Sequence, residues 1–503
     1  MKRYLKKTLK FILLILLFFG LLLMIGVLLP KETYQQKKEK VENLYIKNCN
    51  IVDVENGKII ANKNILVQNG IIVTIDSLTS TLPQNTTIIN GNGKYIMPSL
   101  WDMHLHTISL SPQLHFPLLI ANGVTGVRDM GDGDSWISDI NDVSQRDKTV
   151  WEKEAKNENL LVPKIYEATS FHVEEIDNID KSNYKEKLAE LVLKLKKRGE
   201  PFVKVQLEES ELPDTFFYEL QHQAKKQNIP ILGHLSPNLN INTVVENGFK
   251  SIEHAWALIP HCVKEMKYFE KDIEQKTYDL KNQDSIITKQ VLEKLALANI
   301  YYVPTHVTSN RKEYLAFEPN FNNNPNNKYT ENVQLFLWKT LNWLHTKGYD
   351  KKTDLPILKS FYERGLEITK LAQQNGVKIL TGTDALDRNV YYGISVHEEL
   401  QQMVKAGMSN IQALKAATVN ATEYYGLFNE YGTIDIGKKA DFILLDNNPL
   451  EKIEHTQNIN AVFYNKRLYN QDDILQMKTF VKNQAKSFGI SCKFILNMIK
   501  LRI

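Results

Sequence analysis

His104 and His106 stand one residue apart at the end of an apolar run from Tyr95 to Thr107. On an extended strand such positions point to the same side, so both imidazoles can reach one metal ion. Four further apolar runs each carry a ligand-type residue toward their C-terminal end: Lys204 in 201–206, His234 in 229–235, His254 in 249–255 and Asp384 in 377–385. Imidazole nitrogens and carboxylate oxygens suit a divalent cation such as zinc. Such a cation lowers the pKa of its bound water and polarises a carbonyl, which is what hydrolysis of a stable bond at neutral pH requires.

For these residues to meet, their strands must lie side by side and end at one edge. Between 96 and 431, strand-like runs alternate with helical patterns such as Asp180 to Arg198 and Val396 to Val419, which argues for parallel βα units. Ile300 to Thr305 reads as a seventh strand, and 310–350, rich in Asn, Tyr and charge, reads as a surface excursion beside the site. Outside this region lie shorter strands: Leu44 to Asn48, Ile51 to Asp53, and Lys63 to Ile75 with an Asn69-Gly70 hairpin signal. Similar runs return after Gly432, in 432–446 and 460–467.

The ends carry a different message. Lys2 to Lys10 is basic and Phe11 to Leu29 has no charged residue, which is about the length of a membrane-spanning helix. The run is long for a signal peptide and leaves through Leu28-Leu-Pro-Lys-Glu32 without a small-x-small site, so an uncleaved anchor is favoured, with a cleaved secretion signal as the alternative. Basic residues before the span stay cytoplasmic, which puts the body outside the cytoplasmic membrane. The tail, 471–503, reads as a helix with Lys478, Lys482, Lys486 and Lys493, fit to pack on the body or to lie on a membrane surface.

With 503 residues, 43% of them hydrophobic, the chain can bury a large core and a second domain. A net charge of +4 from balanced charges, without a basic block interleaved with aromatics, gives no sign of a nucleic-acid partner. Cys49, Cys262 and Cys492 are too few and too far apart for a disulfide framework.

The ordered set of a His-x-His, a strand lysine, two single histidines and a late Gly382-Thr-Asp384 resembles the metal-dependent amidohydrolase superfamily, in its imidazolonepropionase-like and Xaa-Pro dipeptidase-like branch. Gly123 to Asp129 is similar to that branch's third-strand segment, and Ser251 to His254 to its sixth. The resemblance implies a distorted (β/α)8 TIM barrel over 96–431 and a small β-sandwich domain formed by 42–95 with 432–470. A linker, 31–41, would join this body to the anchor, 1–30. It also implies two zinc ions: His104, His106 and Asp384 on one, His234 and His254 on the other, bridged by a carbamate that CO2 forms on Lys204. Asp384 would shuttle the proton from attacking water to the leaving nitrogen.

The activity implied is that of a metal-dependent hydrolase of a carbon–nitrogen bond in a small molecule, such as a dipeptide or an acylated amino acid. Metal-dependent deaminases of this fold commonly place a glutamate three residues after the fifth-strand histidine, where this chain has Pro237, and lack the lysine bridge. The tyrosine that several dipeptidases carry after that histidine is also missing, so lactones, cyclic amides and phosphotriesters stay open as substrates. A non-enzymatic, membrane-tethered binding protein on the same barrel is the answer from another class. Arg128 and Asp129, ending the third-strand segment, suit substrate binding or a structural ion pair equally. His172, Tyr302 and His306 fall where loops can face a pocket.

Overall fold

Asn69 and Gly70 both take positive φ, 52° and 79°, and reverse the chain between β2 (Lys58–Gln68) and β3 (Ile71–Asp76) as the hairpin signal requires. Ahead of them β1 (Asn43–Asp53) is one strand where two are expected; it absorbs the break as a bulge around Cys49. β4 (Thr87–Asn90) and β5 (Tyr95–Pro98) both run parallel to β1. The computed structural model describes residues 2–37, 39–76, 82–131, 143–168, 172–173, 183–205 and 214–500.

Strands from the two chain ends share one hydrogen-bonded sheet. β5 pairs antiparallel with β14 (Phe442–Leu445), followed by β15 (Ile459–Tyr464) and β16 (Arg467–Tyr469), in an eight-stranded sheet ordered β16-β15-β14-β5-β1-β2-β3 with β4 on β1. A bridge from Ile71 to Lys439 brings the far edge back toward the C-terminal strands. The core inside draws Leu44, Ile46 and Ile65 from one end and Phe442 and Phe463 from the other, the two rings stacked at 5.2 Å. Burial of each such side chain contributes about 1.5–3 kcal/mol, and residues of both ends contribute to this core.

Between these ends the fold is α/β and TIM-barrel-like. β6 (Leu100–Leu105), β7 (Val124–Asp129) and β8 (Lys164–Ala168) form a three-stranded parallel sheet. β9 (His172–Val173), β10 (Val203–Val205), β11 (Ile231–Gly233), β12 (Phe249–Glu253) and β13 (Tyr301–Val303) form a five-stranded one, also parallel. The segment carrying Asp384 joins the two, since Ile379 bridges Tyr302 of β13 and Ala385 bridges Leu105 of β6. The strand ending in Arg128 and Asp129 pairs directly with β6 and is therefore the second parallel strand, not the third as expected from resemblance.

Helical expectations need two corrections. The pattern Val396 to Val419 is three helices, Ile394–Lys405, Asn410–Ala416 and Val419–Tyr424, interrupted at Gly407 and restarted by a capping box on Ser409. The tail is two helices, Gln471–Gln484 and Phe488–Lys500; the first packs on the body and the second runs against the N-terminal helix, Lys2–Leu28. That N-terminal helix is long and apolar enough to cross a membrane and is almost entirely uncovered. Tyr184–Arg198 is helical, while the expected start of that helix at Asp180 and the residue Gln206 lie outside the described residues. All three cysteines are free and buried.

Candidate metal centre

His106, His234 and His254 directly follow β6, β11 and β12, His104 and Lys204 lie within β6 and β10, and Asp384 follows a segment joined to the sheets by isolated bridges; at two of these positions the backbone is under strain. His254 and Asp384 have φ of 70° and 58°, and Thr305, after β13, has 47°, a region that side chains with a Cβ seldom occupy. Two glycines permit the close approach of neighbouring strands. A Cβ on Gly382 would lie 2.7 Å from Cβ of His104, and one on Gly233 would lie 2.2 Å from the Val205 carbonyl oxygen. The segment from Gly382 then runs along β6, with the amides of Thr383 and Asp384 donating to the His104 carbonyl at 3.0 and 2.6 Å.

His104, His106 and Asp384 converge, one ligand atom of each lying within 4.8 Å of the others. Asp384 Oδ1 is 3.3 Å from His104 Nε2 and 3.1 Å from His106 Nε2. The far nitrogens of both rings face acceptors: His104 Nδ1 donates to Glu253 Oε2 at 2.7 Å, and His106 Nδ1 to the Gly131 carbonyl at 2.9 Å. Both Nε2 atoms therefore present lone pairs to a carboxylate. His104 Nε2 is buried without a hydrogen-bond partner among the described residues. Lone pairs facing a carboxylate repel unless a cation stands between them, so this donor set fits a divalent metal.

A second group adjoins it. His254 Nε2 and His234 Nε2 are 2.8 Å apart, and His254 Nδ1 is 2.6 Å from Thr305 Oγ1. The His104 and His254 rings are 4.8 Å apart by their centroids, and Trp256 stacks on His254 at 5.4 Å. Lys204, on β10, is buried with Nζ 3.4 Å from His106 Nε2. Burial and Lys204 drive the His106 imidazole down to about 3, and burial with His234 drives His254 well below its ordinary value, so both stay neutral.

Residues not picked out in the sequence support this set. Asp102 accepts from Thr383 Oγ1 at 2.6 Å and from the Thr383 amide at 3.0 Å, tying β6 to the Asp384 segment. Glu253 takes His104 on one oxygen and, on the other, Arg128 Nη2 at 2.8 Å and Ser251 Oγ at 2.5 Å. Burial raises the Glu253 carboxyl, but Arg128 and His104 prevail and hold it at about 2. The signals were present: Asp102 lies two residues before His104 on the same strand, and Glu253 immediately precedes His254.

The pocket-facing candidates fare differently. Arg128 is fully buried and all its contacts are internal: Glu253, Ser251, Tyr424 Oη and the Met103 carbonyl. It is the structural ion pair rather than a substrate ligand. Asp129 accepts from Thr107 Oγ1 at 2.5 Å and from its amide at 3.2 Å. Tyr302 lies within the hydrophobic core, enclosed by its neighbours, whereas His306 is buried 2.8 Å from Thr369 Oγ1 and lines a small cavity with Ala255, Trp256 and Thr305. His172 is in β9, paired with Lys204, and its side chain lies outside the described residues.

The Amidohydrolase family profile matches residues 95–468. The chain belongs to the Amidohydrolase family. It is thus an enzyme, a hydrolase acting on carbon–nitrogen bonds, and a non-catalytic barrel is set aside. Solved structures agree on the fold. Bottromycin amidohydrolase aligns over 92% of this chain and 93% of its own at 16% identity and TM-score 0.66. A Xaa-Pro dipeptidase with bound methionine in its active site aligns over 85% and 100% at 18% identity and TM-score 0.59. Ochratoxinase of A. niger aligns over 86% and 96% at 18% identity and TM-score 0.55. In sequence, adenine deaminase 1 of Desulfotalea psychrophila (strain LSv54 / DSM 12343) is 30% identical over 113 residues, which span 22% of this chain and 17% of that protein.

Proposed function

We propose that the chain is a membrane-tethered amidohydrolase in which His104, His106 and Asp384 hold one zinc ion and His234 and His254 a second, with carboxylated Lys204 bridging them. The observation that carries this reading is the pair of Nε2 lone pairs facing Asp384, with an ammonium 3.4 Å from one of them. Carboxylation turns that ammonium into an anionic oxygen ligand, which suits its place among ligand atoms. Bound zinc supplies an acidified water and a polarised carbonyl. Asp384 then accepts the proton of the attacking water and passes it to the leaving nitrogen, while Glu253 keeps His104 in the Nδ1–H tautomer. This reading takes the two parallel sheets as one (β/α)8 ring over 96–431, beside a composite β-sandwich domain of 42–95 with 432–470.

A cleft of about 260 Å³ borders the second pair through Leu235 and Trp256. Lys276 in its wall pairs with Asp272 and Glu313, and Asp279 lines it as well. Lys276 is committed to those acids, so the cleft suits an apolar or cationic group on the amide better than the free carboxylate of a dipeptide. The N-terminal helix would be an uncleaved anchor with its basic end cytoplasmic and the body outside. The test is elemental analysis of the purified full-length protein, followed by assay on dipeptides, acylated amino acids and cyclic amides. About two divalent ions per chain and turnover of uncharged or cationic amides support the proposal; a metal-free protein after reconstitution with zinc and bicarbonate overturns it.

A further inference from the structure

The helix Asn332–Gly348 leaves large apolar side chains in water: Phe336 is 67% exposed, Trp343 57%, Leu344 51% and Leu341 47%. An exposed patch of this kind marks a contact with something absent from the isolated chain. The same helix contains no acidic residue and carries exposed Lys339 and Lys347.

Its position says what covers it. The C-terminal helix, Phe488–Lys500, docks on the last turns of the N-terminal helix so closely that a Cβ on Gly26 would overlap Cys492 Sγ. Lys493 Nζ donates to the Gly26 carbonyl at 3.1 Å and to the Leu29 carbonyl at 2.5 Å, satisfying carbonyls at the helix end. One residue from Cys492, Ser491 Oγ donates to Glu331 Oε1 at 2.5 Å, and Glu331 caps the helix Asn332–Gly348 through the amides of Val333 and Gln334. The start of this helix is therefore tied, through the C-terminal helix, to the exit of the N-terminal helix.

We infer that the outer face of Asn332–Gly348 is an interfacial membrane contact, lying in the headgroup layer of an anionic bilayer beside the exit of the N-terminal helix. Trp and Phe on one side and lysines without acids are the composition of a helix that lies in that layer. The inner face of the same helix holds the loop that follows Asp384: Gln334 Nε2 donates to the Leu386 carbonyl and Asn342 Nδ2 to Asn389 Oδ1. Ser109, three residues after His106, accepts from Asn497 of the C-terminal helix at 2.6 Å. The loops after two metal ligands are thus fixed to the two helices next to the bilayer, which seats the site at the lipid surface. The inference rests on the N-terminal helix being an anchor.

The full-length chain in vesicles of phosphatidylcholine and phosphatidylglycerol tests both readings separately. The native cysteines are buried, so a fluorophore can be placed on Trp343→Cys, on Leu344→Cys as a second position, and on exposed Ile88→Cys in β4 as the control. At 343 and 344 the label should be quenched by spin-labelled lipid and shielded from aqueous iodide, and at 88 the reverse. Iodide quenching at 343 and 344 equal to that at 88, in protein that resists carbonate extraction, overturns the membrane contact and leaves the anchor standing. Shielding from both quenchers means a protein partner and overturns it too. Release by carbonate, with a mature N-terminus beyond Leu29, removes the anchor and this inference with it.

Discussion

Glu253 Oε2 accepts a hydrogen bond from His104 Nδ1 at 2.7 Å, with neither side chain exposed to solvent. That contact fixes which nitrogen of His104 faces Asp384, because a buried carboxylate takes the N–H and leaves Nε2 as the ligand atom. Glu253→Gln should weaken metal affinity about 10- to 100-fold while the fold persists. Competition with a chelator of known affinity measures it; an unchanged affinity removes the orienting role.

Arg128 completes the other side of Glu253. Arg128→Met strands a buried carboxylate, and a broken buried pair costs about 3–5 kcal/mol. The loss should appear in denaturant midpoints, with KM for the best amide unchanged in whatever protein folds. A raised KM with unaltered stability would return Arg128 to the substrate.

Asp384→Asn should reduce kcat roughly 100- to 10,000-fold, the range for removal of a positioned proton shuttle. Rates and metal content measured together separate the shuttle from the ligand. A variant that keeps metal and turns over near the parent rate would end the proton role.

Lys204→Ala should lose metal, and short carboxylic acids should restore part of the activity by supplying the bridging oxygen that the carbamate provides. Undiminished metal content in the variant would argue against a carboxylated bridge.

Burial pushes the Asp279 carboxyl up to about 7, whereas an unfolded aspartate titrates near about 3.9. Between those values the native state binds the extra proton, so stability falls as pH rises, by at most about 1.4 kcal/mol per pH unit. Asp279 Oδ2 is buried without a hydrogen-bond partner among the described residues, which is consistent with a retained proton. Asp279→Asn should flatten thermal stability between pH 4 and pH 7; a slope identical to the parent's would show that another group titrates there.

The sequence by itself determined which residues could be ligands and which elements carry them. Period-two spacing in His104-Leu-His106, strand runs ending at Lys204, His234, His254 and Asp384, and the Asn69-Gly70 turn are local properties, and local sterics fix them. The uncharged run from Phe11 to Leu29 is equally local, and it forms the helix expected of it. Tertiary structure alone decided what depends on partners distant in the chain. Arg128 can serve substrate or structure until Glu253, 125 residues away, claims it. Asp102 looks like an ordinary strand residue until Thr383 binds it, and the exposed face of Asn332–Gly348 acquires meaning only beside Glu331, Ser491 and the end of the N-terminal helix. Spacing reveals what side chains share a face, but burial and charge pairing are set by which faces meet.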